Sequence, residues 1–256
     1  RLLEGAAVAL GLPQFGRDKA GNAYPPVVAR LQRNVVWGDL NGDGRPTGNE
    51  TRMIGPDGMT DSLACELHYE DGTAGQYAFR LKTVAEQETY VLQRACARVA
   101  EFQGRKIVLL DDNGNGKYDD AGRDAVLIGD GPVAFLGKHV ELDGRFYELL
   151  VHAAGHTLEI RPAEKLDTGT VDLFENYTPP QKAESLTIHT LIISGAGGSF
   201  AFDDQRRRAK VPAGAYDLVF GLFERAKETV YLKKGEKTGF TVPAGQTAAP
   251  RWGGVV

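Results

Sequence analysis

The chain has 256 residues, 42% of them apolar, and a formal net charge of −4. That is enough apolar material for a real core, in one large domain or two small ones. The mild acidity excludes the broad positive face of a nucleic-acid binder, since Arg206-Arg207-Arg208 is too short a run to make one, and no apolar stretch approaches the roughly 20 residues of a membrane-spanning helix.

In sequence order, Leu2 to Leu12 is apolar but interrupted by Glu4 and Gly5, and it lacks the basic leader of a signal peptide. The chain begins at Arg1 and not at Met, so an upstream piece is expected to have been removed. Residues 1–30 read as an extended segment whose apolar start is a candidate strand for pairing with a second copy; the alternative is that it packs on its own domain. Val27, Val28, Leu31 and Val35 have helical spacing, yet Leu31, Val35 and Trp37 also fit one face of a strand. Ser62 to Tyr69 alternates, with Leu63, Cys65, Leu67 and Tyr69 on one face, and Tyr77, Phe79 and Leu81 form a second such face. Val84 to Ala97 is ambiguous between helix and strand. Gln103-Gly104 and Asp143-Gly144 each lie between apolar-rich arms and predict hairpins, because both turn residues must accept positive φ. The fold class expected is mainly β.

The strongest local signal is Asp39-Leu40-Asn41-Gly42-Asp43-Gly44-Arg45-Pro46-Thr47-Gly48-Asn49-Glu50, here loop 1. It resembles an EF-hand calcium loop at every defining position. Calcium takes six to eight oxygens, which explains the spacing. The resemblance implies ligands from Asp39, Asn41 and Asp43, a carbonyl from Arg45, Thr47 directly or through water, and a bidentate Glu50.

Loop 2 runs from Asp111 to Asp124 and repeats the opening with Asp111, Asn113, Asn115 and Gly116. Lys117 would supply a carbonyl and Asp119 falls at position nine. Position twelve is Gly122, so Asp120 or Asp124 must close the site. The arrangement is similar to the acidic loops of thrombospondin type 3 repeats as much as to an EF-hand. Neither loop has flanking helices: Gly55-Pro56 follows loop 1 closely, and the flanks of loop 2 read as strands. Pro46 also lacks the N–H that paired hands exchange. The loops are expected to rigidify strand connections and not to operate a sensor. Turns made by Asx and Gly without any ion are the alternative.

After Tyr177-Thr178-Pro179-Pro180, an expected stiff connector, come four strand-like runs and two copies of Val-Pro-Ala-Gly, at Val211 and Val242. Val211-Pro212-Ala213-Gly214-Ala215-Tyr216 resembles the corner of carboxypeptidase-regulatory-like and other immunoglobulin-like sandwiches over roughly the last 75 residues, which implies a binding or spacing module. The domains expected are therefore an N-terminal segment 1–30, a β domain 31–178 with both calcium loops, and a β-sandwich 179–256.

Neither Cys65 nor Cys96 belongs to a CxxC. In an exported protein they are expected to form one disulfide between strands, against two buried thiols. His152 and His156 lie four apart, but in an apparent turn, and no HExxH, nucleophile elbow or phosphate loop is present. Calcium sites of extracellular modules have dissociation constants on the order of 10⁻⁴–10⁻³ M, and such sites fill only outside the cell. The function expected is a calcium-stabilised structural or adhesive protein, extracellular or at the cell surface, which self-assembles by strand pairing and contacts glycan or cell surface. It is not expected to be an enzyme. The alternatives are a carbohydrate-binding or accessory module of a secreted enzyme, and a hydrolase without a recognisable motif.

Overall fold

The computed structural model describes residues 7–8, 15–17, 23–24, 28–32, 34–38, 40, 45, 47–83, 90–178, 186–195, 197–225, 228–234 and 239–253. These residues form an all-β protein, and no helix occurs among them. The two ambiguous segments resolve as strands where they are described. Val28–Gln32 and Val35–Gly38 pair antiparallel, with Arg30 opposite Val36, and Tyr90–Arg94 pairs with Ala74–Thr83. The β-branched and aromatic runs decide both cases over the helical spacing.

The protein forms two compact units. The first comprises Arg1–Arg98, Leu109–Asp119 and His152–Thr157; the second comprises Val99–Val108, Asp120–Val151 and Leu158–Val256. The boundary expected at residue 178 does not separate them. Thr168–Asp172 pairs antiparallel with Arg208–Pro212 and parallel with Thr247–Ala248, so strands on both sides of the connector share a sheet. Pro179 and Pro180 lie outside the described residues.

The first unit contains a five-stranded sheet in the order Ala23–Tyr24, Phe15–Arg17, Leu63–His68, Ala74–Thr83, Tyr90–Arg94. Its core face is the alternating one read from sequence: Leu63 opposes Phe79 and Cys65 opposes Tyr77, and Leu63, Leu67, Tyr77 and Leu81 are fully buried. Burying each such side chain contributes roughly 1.5–3 kcal/mol. A second sheet has the order Ala7–Val8, Val28–Gln32, Val35–Gly38, Thr51–Met53. The N-terminal Ala7–Val8 thus pairs with a strand of its own chain.

The second unit is built around Leu186–Gly195, flanked by Gly198–Phe202 and Gly214–Arg225, with Glu228–Lys233 beyond the latter. Leu191, Ile193, Phe202, Leu218 and Phe223 share one core with Val171, Val211 and Val242 of neighbouring strands. At the corner, the Tyr216 hydroxyl donates to the Pro212 carbonyl at 2.8 Å, reaching back over the turn as a tyrosine corner does. Both hairpins expected from sequence are present, and each turn has the positive φ pair that a type I′ turn needs: 52° and 74° at Gln103-Gly104, 52° and 78° at Asp143-Gly144.

Candidate metal centre

Both loops connect strands. Loop 1 links Val35–Gly38 to Thr51–Met53, which pair antiparallel with Trp37 opposite Thr51. Loop 2 leaves Arg105–Leu110 and returns into Ala125–Ile128, its neighbour in the sheet order. The expectation that strands and not helices flank both loops matches this arrangement.

In loop 1, Asp39, Asn41 and Asp43 lie outside the described residues. Arg45 is exposed, whereas Glu50 is only 3% exposed. Glu50 turns back across its own loop. Its Oε1 accepts the N–H of Leu40 at 3.0 Å, and its Oε2 accepts the Thr47 hydroxyl at 2.8 Å and the Thr47 N–H at 3.3 Å. The last residue of the loop therefore fastens to the second.

In loop 2, Asp111 is fully buried and accepts four hydrogen bonds. Its Oδ1 takes the N–H of Gly114 at 2.7 Å and of Asn115 at 3.1 Å. Its Oδ2 takes the N–H of Gly116 at 2.7 Å and the Tyr77 hydroxyl at 2.7 Å. A carboxylate offers about four lone-pair positions, so donors fill them all. For Asp111 to ligate a cation one donor has to give way, and the long Asn115 contact is the weakest. Asn113 Oδ1 accepts the Asn115 N–H at 3.0 Å and Asn115 Oδ1 accepts the Lys117 N–H at 2.8 Å. These successive Asx turns wind the opening of the loop. Asp112 is ion-paired with Arg94 at 2.7 Å.

Asp111 to Asp119 belong to the first unit, and Asp120 and Asp124 to the second. Of the two closing candidates, Asp124 is buried, and its Oδ2 accepts the Asp120 N–H at 2.8 Å. Asp119 is exposed. Among the described residues no group of three or more His, Cys, Asp or Glu side chains is placed to hold a metal ion. The Asp111, Asn113 and Asn115 side-chain oxygens at the opening of loop 2 accept backbone N–H groups of the same loop.

Sequence reasoning missed the tyrosines that fasten loop 2 to the core. Tyr69 donates to the Gly116 carbonyl at 2.8 Å, and Tyr77 to Asp111. Burial raises the Tyr77 phenol well above its ordinary range, and the neighbouring Asp111 charge adds to the shift. Tyr77 therefore stays protonated and always donates. Burial likewise pushes Tyr69 up to about 12. The only signal in the sequence was chemical: a buried tyrosine hydroxyl needs a partner.

Cys65 and Cys96 are unbridged thiols in this structure, so the expected disulfide is not formed. Cys96 Sγ lies 3.2 Å from the Tyr118 hydroxyl, and Cys65 Sγ lies 3.8 Å from the Tyr77 carbonyl. His152 and His156 sit in a turn closed by Gly155 N–H to the His152 carbonyl at 2.7 Å, which removes the helical spacing a zinc pair would need. Neither tryptophan forms an exposed platform for a sugar: Trp37 is 3% exposed, and Trp252 packs among Phe174, Tyr177 and Phe223 with its indole N–H on the Leu173 carbonyl. A cleft of about 240 Å³ in the second unit contains Glu141 and Asp143, each held by an arginine, Arg206 at 2.7 Å and Arg105 at 2.6 Å.

No protein-family model matches the sequence, and no curated protein or solved structure matches it.

Proposed function

We propose that this protein is a calcium-stabilised extracellular structural or adhesive protein, in which two cation loops rigidify the connections between strands. The observation that carries the reading is Glu50. Its carboxylate is 3% exposed and is met by donors from Leu40 and Thr47, so the support is its place at the twelfth position. It is turned across a loop whose other positions have the residue types calcium takes. For a second site the support is the residue types of the opening of loop 2, Asp111, Asn113 and Asn115, all within the first unit. For self-assembly, the support is the strand Glu228–Lys233. It ends its sheet among the described residues and exposes Val230 and Tyr231. Such an edge offers main-chain groups to a second copy.

Calcium titrated calorimetrically into the chelator-treated protein tests the ion. Saturable binding is expected, with dissociation constants on the order of 10⁻⁴–10⁻³ M. Absence of uptake at millimolar calcium would remove the reading. Light scattering on the same samples tests assembly, which is expected to increase with calcium.

A further inference from the structure

Loop 2 contains two Asn-Gly links, Asn113-Gly114 and Asn115-Gly116. The backbone requires both glycines, at φ 70° and 83°, where a Cβ would be strained. The fold therefore places the least shielded successor residue after each asparagine. We propose that these two links are latent deamidation sites, held intact by the Asp111 carboxylate.

The chemistry needs only water. The glycine nitrogen loses its proton to hydroxide and attacks Cγ of the preceding asparagine. A bond forms between that nitrogen and Cγ, the bond from Cγ to the amide Nδ2 breaks, and ammonia leaves with a proton from water. Water then opens the succinimide to aspartate or isoaspartate, with no change of oxidation state.

Both nucleophilic nitrogens are engaged. Gly114 N–H and Gly116 N–H each donate to Asp111 at 2.7 Å, one to each carboxylate oxygen. A nitrogen whose N–H is donating has to give up that bond before it can attack. The amide groups are held as well: Asn113 Oδ1 sits on the Asn115 N–H and Asn115 Oδ1 on the Lys117 N–H, contacts that ring closure has to disturb. Tyr77 fixes Asp111 in place through Oδ2, the oxygen that also holds Gly116. Once the loop opens, deamidation adds charge beside Asp111, Asp112 and Asp119, and like charges disfavour closing it again. The reaction would leave a permanent record that this loop had been released.

The test is incubation of the 256-residue chain in EDTA at mildly alkaline pH, which removes any protection by calcium, followed by peptide mapping that separates asparagine, aspartate and isoaspartate. In the folded protein both sites should react at least about tenfold more slowly than in denaturant, the factor that one net hydrogen bond supplies. Asp111→Asn should accelerate both sites, and Tyr77→Phe should accelerate Asn115 more than Asn113. Equal rates in folded and denatured wild-type protein would overturn the proposal. So would wild-type rates in a folded Asp111→Asn variant. If that variant does not fold, an unchanged Asn115 rate in Tyr77→Phe would overturn it.

Discussion

Tyr77 and Asp111 stand 34 residues apart in sequence and meet in a buried 2.7 Å hydrogen bond. One lies on the core strand Ala74–Thr83, the other at the first position of loop 2. The contact ties the opening of the loop into the first unit's core, so the conformation of that opening and the stability of the unit are linked. Tyr77→Phe deletes one of four donors to a buried charge, and such a bond contributes about 1.5–3 kcal/mol. Urea denaturation of the variant should show a lower midpoint with an unchanged slope. An unchanged midpoint would mean that the loop is not fastened to the core through this pair.

Tyr216 plays a comparable part in the second unit. Its hydroxyl satisfies the Pro212 carbonyl in a buried corner. Tyr216→Phe retains the ring that packs against Phe200 and Phe240 and removes only the bond. The expected loss is about 0.5–1.5 kcal/mol, read from chemical denaturation of the variant. A neutral result would mean that the ring packing alone holds the corner.

Cys65 supplies a prediction in pH. Burial, with Cys96 adding to it, pushes its thiol from 9.0 up to about 12. The folded value exceeds the unfolded one, so the stabilising contribution is fully present below pH 9 and is lost as pH rises toward 12. At pH 8.5 Cys65 should resist iodoacetamide in the native protein and react after denaturation. If neither cysteine reacts in the denatured protein without reductant, the two are bridged in solution.

Glu50 separates ion binding from ordinary turn-making. Glu50→Gln can still accept from Leu40 but loses the charge that a cation requires. The variant should lose the part of the calcium-dependent rise in unfolding temperature that loop 1 supplies and keep the part that loop 2 supplies. A full calcium response in the variant would place the effect outside loop 1.

Much of this was legible locally. Alternation located the face formed by Leu63, Leu67 and Tyr77, because a strand's period of two is written in adjacent residues. The turns at Gln103-Gly104 and Asp143-Gly144 were legible for the same reason, since their backbone demands act on two residues at a time. The turns at Asn113 and Asn115 are those that the alternative reading of loop 2, Asx and Gly turns, drew from its spacing. What depends on distant partners was not legible. Nothing near Tyr69 or Tyr77 specifies Gly116 or Asp111. The Pro179-Pro180 connector looked like a boundary because composition changes there, but Thr168–Asp172 finds its partners beyond it. Composition does not encode strand pairing.

Thermal unfolding of the 256-residue chain, in calcium on the order of 10⁻² M, about tenfold the weakest expected dissociation constant, and in EDTA, tests the central claim most directly. A ligand at tenfold its dissociation constant stabilises by about 1.4 kcal/mol per site. For a protein of this size that raises the midpoint by about 3–6 °C. Calcium-stapled loops predict a rise of at least that size in calcium, reversed by EDTA and not reproduced by an equal concentration of magnesium. Coincident midpoints in calcium and EDTA would contradict the claim and leave the two loops as hydrogen-bonded turns.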